Sequence, residues 1–267
     1  MKPRLVIAAL LASAVAAAAI LAQPAPPARA QADEATPALP NVSWSFEGPF
    51  GTFDRAALQR GFQIYTQVCS TCHSMNLLTY DDLGGPGGLG YSEEEVKAIA
   101  AQKQVPDIDK SGKPIQRPAR PSDHFVAPFP NEAAAAAANG GKAPPDLSDI
   151  IKARAGGARY VYAYLTGFRE PPKGFQMPPS GGNYNLYFPG HVVAMPPVLQ
   201  PDLVQYADGT KATVDQEAHD VVAFLTWASD PMMEQRKRTG AKVVLFLLAM
   251  TGVLYGAKRR VWSDVEH

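Results

Sequence analysis

The 267-residue sequence predicts a mainly α chain with long loop insertions and one transmembrane helix near its C-terminus. Three observations predict it. Apolar residues recur at helical spacing behind N-cap residues near positions 54, 92 and 213. The 25 prolines and 22 glycines gather in stretches without periodicity, which marks irregular connections. Residues 241 to 257 carry a single charge, Lys242, between two cationic clusters. With 46% apolar and 19% charged residues the remainder is ordinary globular sequence, and one core domain with extra segments fits the length.

The chain opens Met1-Lys2-Pro3-Arg4, continues uncharged over residues 5 to 22, and reaches small residues at an A-x-A step, Ala28-Arg29-Ala30-Gln31-Ala32. This is the pattern of a secretory signal over residues 1 to 30, cleaved after Ala30 or Ala32. An uncleaved anchor is the alternative. The stretch is mostly alanine and only mildly hydrophobic, which favours cleavage.

Trp44, Phe46, Phe50 and Phe53 are expected to pin the start of the mature chain to its core. Leu58, Phe62 and Tyr65 then recur at spacings of four and three, predicting an amphipathic helix from residue 54 to about 68, capped by Asp54 or Thr52. It delivers Cys69-Ser70-Thr71-Cys72-His73, which holds the only two cysteines. Thiols at i and i+3 can form thioethers to the two vinyl groups of a haem while the next histidine reaches iron. A thioredoxin-like motif wants a βαβ context, and a zinc site wants a second pair of ligands. One covalently bound haem c, held by Cys69, Cys72 and His73, is therefore expected, with no thiol left for a disulfide. A covalent haem behind a bacterial-type signal points to the periplasm.

Residues 84 to 90 form a glycine-rich loop that lacks the Lys-Ser/Thr ending and preceding strand of a phosphate loop, and reads as backbone passing close to something. Ser92 and Glu95 predict a capping box for a helix to about residue 103, ended by Pro106. Residues 106 to 130 read as a proline-rich surface excursion. Residues 133 to 138 predict a short helix closed by Asn139-Gly140-Gly141. A further helix is expected from Pro144 to Arg154, C-capped by Gly156, and another from Tyr160 to Thr166, stopped at Gly167. Residues 171 to 201 are rich in Pro, Gly and aromatics. Thr213 and Gln216 predict a second capping box, opening a helix that ends near Ser229 and packs across the first one.

Residues 241 to 257 rise ~26 Å as a helix, enough with snorkelling Lys242 to span a hydrocarbon core. A buried core helix is disfavoured by Arg236-Lys237-Arg238 and Lys258-Arg259-Arg260 on its flanks. The charges tie on orientation, and the signal decides it. The expected division is residues 1 to 30 signal, 31 to 238 exported haem domain, 239 to 258 transmembrane helix and 259 to 267 cytoplasmic tail. The chain is neutral overall, yet residues 31 to 235 hold 15 Lys+Arg against 23 Asp+Glu, a net of −8. Seven of those acids lie between residues 81 and 109, including Glu93-Glu94-Glu95. Such a surface favours a basic protein partner, and no nucleic-acid partner is expected.

His73 fills one axial position, so the second ligand separates electron transfer from chemistry at iron. Met75 is too near His73 to cross the ring. Met232 and Met233 adjoin the membrane, His267 lies beyond it, and His219 sits on a helix face. Met177 and Met195 remain, each followed by proline, and spacing does not choose between them.

Several runs, in order along nearly the whole mature chain, are similar to the cytochrome c1 family. They are Arg60-Gly61-Phe62-Gln63-Ile64-Tyr65 through Cys69-Ser70-Thr71-Cys72-His73-Ser74-Met75, Pro144-Pro145-Asp146-Leu147-Ser148, Lys152-Ala153-Arg154-Ala155-Gly156-Gly157, and Tyr184-Asn185-Leu186-Tyr187-Phe188-Pro189-Gly190 through Met195-Pro196-Pro197, followed by the C-terminal anchor. The resemblance implies a cytochrome-c-like haem domain with Met195 as second axial ligand, Pro145 against the haem, and Arg154 and Tyr160 holding its propionates. It also implies a subunit of the membrane quinol:cytochrome c oxidoreductase, the cytochrome bc1 complex. The subunit would take electrons from a Rieske iron–sulfur protein, beside cytochrome b, and pass them to a soluble basic c-type cytochrome. It would sit in a bacterial inner membrane as a single-pass protein, with no substrate chemistry on this chain itself. Some bacterial members carry an extra disulfide near the methionine ligand, which this chain cannot form. A free-standing membrane-anchored carrier is the alternative. A periplasmic peroxidase, which would want an open iron position and commonly a second C-x-x-C-H, fits less well.

Overall fold

The computed structural model describes residues 37 to 264. The expected signal and its cleavage site lie outside the described residues, as does the end of the tail.

The core is organised on two crossed helices. Helix α1, Arg55–Gln67, starts where the Asp54 carboxylate accepts from the backbone N–H groups of Ala56 and Ala57, and it buries Leu58, Gly61, Phe62, Ile64 and Tyr65. Later in the chain Val214–Ser229 forms a helix, α5 below, that is buried on nearly every face and crosses α1 as expected. The crossing is at Gly61, where an added Cβ would stand 2.1 Å from the carbonyl oxygen of Asp220. No side chain other than hydrogen fits there. Around it Phe224 meets Phe62 and Tyr65, each with ring centroids 5.6 Å apart, and Phe125 continues the stack to Tyr80 at 4.8 Å. Such aromatic pairs add about 0.5–1.5 kcal/mol each beyond the area they bury.

Helix α2 is Glu93–Ala101, and the expected box is complete, with Ser92 and Glu95 each accepting from the other's backbone N–H. The helix stops before Pro106, because residues 104 to 118 form an antiparallel hairpin of β1, Gln104–Ile108, and β2, Pro114–Pro118. The proline-rich excursion thus has a pleated start. Arg117 fastens it by pairing with both Asp107 and Asp123. The glycine-rich loop does approach a neighbour closely, since the Trp227 indole donates to Gly87 O at 2.8 Å.

Helix α3, Glu132–Ala138, closes at Asn139 as expected. The helix expected from Pro144 to Arg154 is not there. Those residues run as successive turns, because the Asp146 carboxylate is drawn to Ser74, Asn76 and Ser148, and Gly156, at φ +86°, begins the next helix instead of ending one. That next helix, α4, is Gly157–Thr166, stopped at Gly167. Two short strands follow, β3, Asn183–Tyr184, paired antiparallel with β4, Val192–Val193. At the N-terminus of α5, Val214–Ser229, Thr213 accepts from Gln216 N, but the Gln216 side chain turns to Asp220 at 3.0 Å, so the second box is half made. Asp220 also takes a bidentate ion pair from Arg60, which reaches Asp208 as well.

Three residues after α5 the chain enters α6, Met233–Val261, a single helix of 29 residues that is long and apolar enough to cross a membrane. Its apolar side chains, among them Leu245, Phe246 and Leu254, are exposed along its length.

Candidate cofactor site

Where α1 ends, Val68 N still donates to Ile64 O and the chain tightens into a 3-10 turn, Cys69–Thr71. Both Cys72 N and His73 N donate to Cys69 O, at 3.1 and 2.9 Å, so the three residues of the motif share one turn. Ser70 and Thr71 hydroxyls donate back to Thr66 O and Val68 O and fix it to the helix end. Both thiols are free and half-buried. Burial, with a smaller contribution from Cys72, pushes the Cys69 thiol up to about 12, so it is not a ready thiolate. Among the described residues no three His, Cys, Asp or Glu side chains are grouped so that they could hold a metal ion.

His73 is aimed by a carbonyl. Its Nδ1 lies 2.7 Å from Pro145 O, and since a carbonyl only accepts, Nδ1 carries the proton and Nε2 keeps a lone pair for a ligand. Burial lowers the imidazole pKa, partly opposed by the Pro145 contact and Asp146, and favours the neutral form that coordination needs. The carbonyl is itself held in place. Asp146 accepts from Ser74 Oγ at 2.7 Å, Asn76 N at 2.9 Å and Ser148 N at 2.8 Å, Leu147 N donates to Ser74 O, and Leu77 N donates to Ser148 Oγ. Burial works against the Asp146 carboxylate, but its donors hold the pKa below the usual range. The turns of residues 145 to 148 are thereby stitched to the segment after His73, in which Met75 is fully buried. Asp146, Ser74 and Ser148 are positioning groups that the motif alone does not reveal. The Pro-Asp-x-Ser order, in which a carboxylate reaches the backbone two residues on, is the local signal for them.

The remaining expected residues fall in two groups. Arg154 is exposed, with its guanidinium donating to Ala153 O, and its charge acts on two tyrosines of α4. Burial raises the Tyr160 phenol and pushes Tyr164 up to about 12, while the Arg154 cation counteracts both. One cation just before α4 and two phenols one turn apart along it thus act on one another. Tyr164 belongs to the group through its i+4 relation to Tyr160, a signal sequence reasoning passed over. Met195 and Met177 both belong to the lobe built on β3 and β4, and both are half-buried. The Met195 backbone is pinned, its carbonyl accepting from Asn183 Nδ2 at 3.2 Å, and Phe168 bridges to Asn185, tying the lobe to the end of α4. Phe175, two residues before Met177, packs edge-on to Tyr184 at 4.9 Å. His191 is buried against Tyr184, at 5.3 Å between rings, rather than presented as a ligand.

The residues present fit a haem. Two thiols and an imidazole with its distal nitrogen available stand on one turn, a cation precedes α4 and two phenols stand on it, and two thioethers sit in an irregular lobe. The family model described as the Cytochrome C1 family matches residues 44 to 265. The chain is 45% identical over 254 residues to "Cytochrome c1" of Rhodospirillum rubrum, covering 89% of this chain and 92% of that one. It is 48% identical over 241 residues to "Cytochrome c1-2, heme protein, mitochondrial" of Solanum tuberosum, 89% and 91% of the two chains. Against "Cytochrome b/c1" of Bradyrhizobium diazoefficiens it is 44% identical over 255 residues, which is 88% of this chain but 37% of the longer relative.

Proposed function

The chain belongs to the cytochrome c1 family, and from that premise we propose that it carries one covalent haem c and relays electrons within a cytochrome bc1 complex, from a Rieske iron–sulfur protein to a soluble c-type cytochrome. The observation that carries the reading is the His73–Pro145 contact beside the paired thiols, since it leaves Nε2 as the only imidazole nitrogen open to iron. Bound haem supplies a one-electron ferric/ferrous couple. Cys69 and Cys72 would hold the ring through thioethers, on a half-buried turn that is hydrogen-bonded to the end of α1. With His73, Met195 would hold the iron, its soft thioether favouring the ferrous state. Arg154 would neutralise the propionates, and Tyr160, with Tyr164 one turn further along α4, would help to hold them. With His73 and Met195 both given to the iron, no substrate chemistry falls to this chain, and its task would be to hold the couple in a fixed environment.

The relative whose printed name joins cytochrome b to c1 supports cytochrome b as a neighbour. In the same reading residues 31 to 238 form the exported haem domain, residues 239 to 258 cross the bacterial inner membrane, and residues 259 to 267 end in the cytoplasm. The acidic balance of the exported part suits a basic soluble cytochrome. Several of the clustered acids have local duties as well, Asp82 capping the 3-10 turn Tyr80–Leu83, Glu93 pairing with Lys97 and Asp107 with Arg117. Purification in mild detergent tests the assignment. Cytochrome b and Rieske subunits should co-elute in constant ratio, whereas a free-standing membrane-anchored carrier would elute without them.

A further inference from the structure

The first turns of α6 are fastened to the loop that precedes α1. Glu234 is buried, with Oε1 accepting from Phe53 N at 2.8 Å and Oε2 paired with Arg55 at 2.9 Å. Lys237 places its Nζ among three carbonyls, Phe46 O and Gly48 O at 2.7 Å and Gly51 O at 3.1 Å. These contacts hold the tip of the loop beside the point where the apolar stretch of α6 begins. At that tip Phe50 is 85% exposed. A benzyl group held rigidly in water has a large favourable transfer free energy still to gain.

Between the tip and the helix lies a cleft of about 370 Å³, lined by Phe50, Thr52, Arg238, Ala241 and Lys242 among others. Its charges are unbalanced. Glu234 is already engaged by Arg55, Lys237 donates to neutral carbonyls, and Arg238, 73% exposed, reaches Glu234 only at 3.7 Å. Arg238 and Lys242 are four residues apart and so share a face of α6. Below them Ala241, Leu245 and Leu248 continue as apolar surface. Cations above an apolar wall with an aromatic lip match the two halves of a phospholipid.

We propose that this cleft binds the headgroup phosphate of an anionic phospholipid in the leaflet on the haem-domain side, with Arg238 and Lys242 on the phosphate and Phe50 beside the acyl chains. The proposal rests on the reading of α6 as a membrane span. An acidic protein segment would satisfy the two cations but leave Phe50 in water. Inorganic phosphate would satisfy the same cations and gain nothing from it.

Native mass spectrometry of the full-length protein in mild detergent, titrated with mixed phosphatidylglycerol and phosphatidylcholine, tests it. The wild type should retain one phosphatidylglycerol in preference to phosphatidylcholine. The double variant Arg238→Gln/Lys242→Gln should lower that affinity by roughly 30-fold, the loss expected for two surface-facing charges. Phe50→Ser should weaken lipid retention without changing competition by inorganic phosphate. Arg236→Gln, whose guanidinium pairs with Asp230 and lines a different surface, serves as control and should behave as wild type. A preference that the double variant and the control alter equally would overturn the proposal, as would phosphate competing as well as the lipid does, or displacement of the lipid by a co-purifying acidic protein. Extraction of reconstituted wild type from vesicles at alkaline pH would instead mean that α6 is not a membrane span.

Discussion

Gly61 of α1 and Asp220 of α5 pass so closely that a methyl on the glycine would stand 2.1 Å from the aspartate's carbonyl oxygen. The same aspartate takes the bidentate ion pair from Arg60, next to the glycine, so the crossing is both a steric fit and a buried charge contact. Cys69 follows α1 and its cap Val68, so the helix held at this crossing is the one that carries the Cys69–Thr71 turn.

Gly61→Ala is expected to destabilise the fold by about 3 kcal/mol or more, since backbone rather than a flexible side chain must give way. Thermal unfolding of the exported, haem-loaded protein measures it. A melting temperature within a degree or two of wild type would mean that the two helices part easily.

Met195→Leu keeps volume and packing but removes the thioether. The near-infrared sulfur-to-iron charge-transfer band of the oxidised protein should vanish and the midpoint potential should fall. Met177→Leu should leave both unchanged. The reverse pattern would transfer the ligand role to Met177 and refold the whole lobe around a different sulfur.

Glu217 is fully buried on α5 without a hydrogen bond of good geometry. Burial pushes its carboxyl up to about 7, only partly offset by the backbone N–H groups of Val204 and Leu203, with Asp202 adding to the rise. An acid whose folded pKa is raised binds more protons in the native state than in the unfolded one. Its stabilisation is complete below the ordinary value of 4.5 and is lost as pH climbs towards about 7. The contribution to the slope is at most ~1.4 kcal/mol per pH unit. His219, raised chiefly by its contact with Asp220, slopes the same way at higher pH, so the informative quantity is the difference between wild type and Glu217→Gln. Denaturant unfolding across pH 5 to 8 should show that difference grow in favour of the glutamine variant. Parallel curves would mean that Glu217 stays ionised in the fold.

Electron transfer to a basic soluble cytochrome should slow with salt, as the Debye length shortens from ~30 Å at 0.01 M to ~8 Å at 0.15 M. Stopped-flow rates over that range read it directly. A flat dependence would leave the net charge of −8 on residues 31 to 235 as a matter of solubility alone.

What was legible in the sequence was what is local. The caps at Asp54 and Ser92 bond within three residues of themselves, and the apolar spacing of α1 and α5 reports directly on faces that meet. Residues 145 to 148 were misread because the partners of Asp146, Ser74 and Asn76, lie 70 and more residues away, and a Pro-Pro-Asp run looks like a helix start without them. The hairpin over residues 104 to 118 was hidden by its prolines. A two-stranded ribbon has no interior strand, so Pro106 and Pro114 are tolerated where a larger sheet would exclude them. At the proposed site, Cys69, Cys72 and His73 are picked out by an order that suits haem attachment, whereas Met177 and Met195 both lie in one irregular lobe, where spacing does not choose between them.

Only Asp230, Pro231 and Met232 separate α5 from α6, and Glu234 and Lys237 are tied into the domain within the first five residues of the anchor. There is no slack between the two. In the reading proposed above, a redox centre mounted this way is a fixed station with the bilayer as its foundation, and any travelling needed to collect an electron or deliver one falls to its partners.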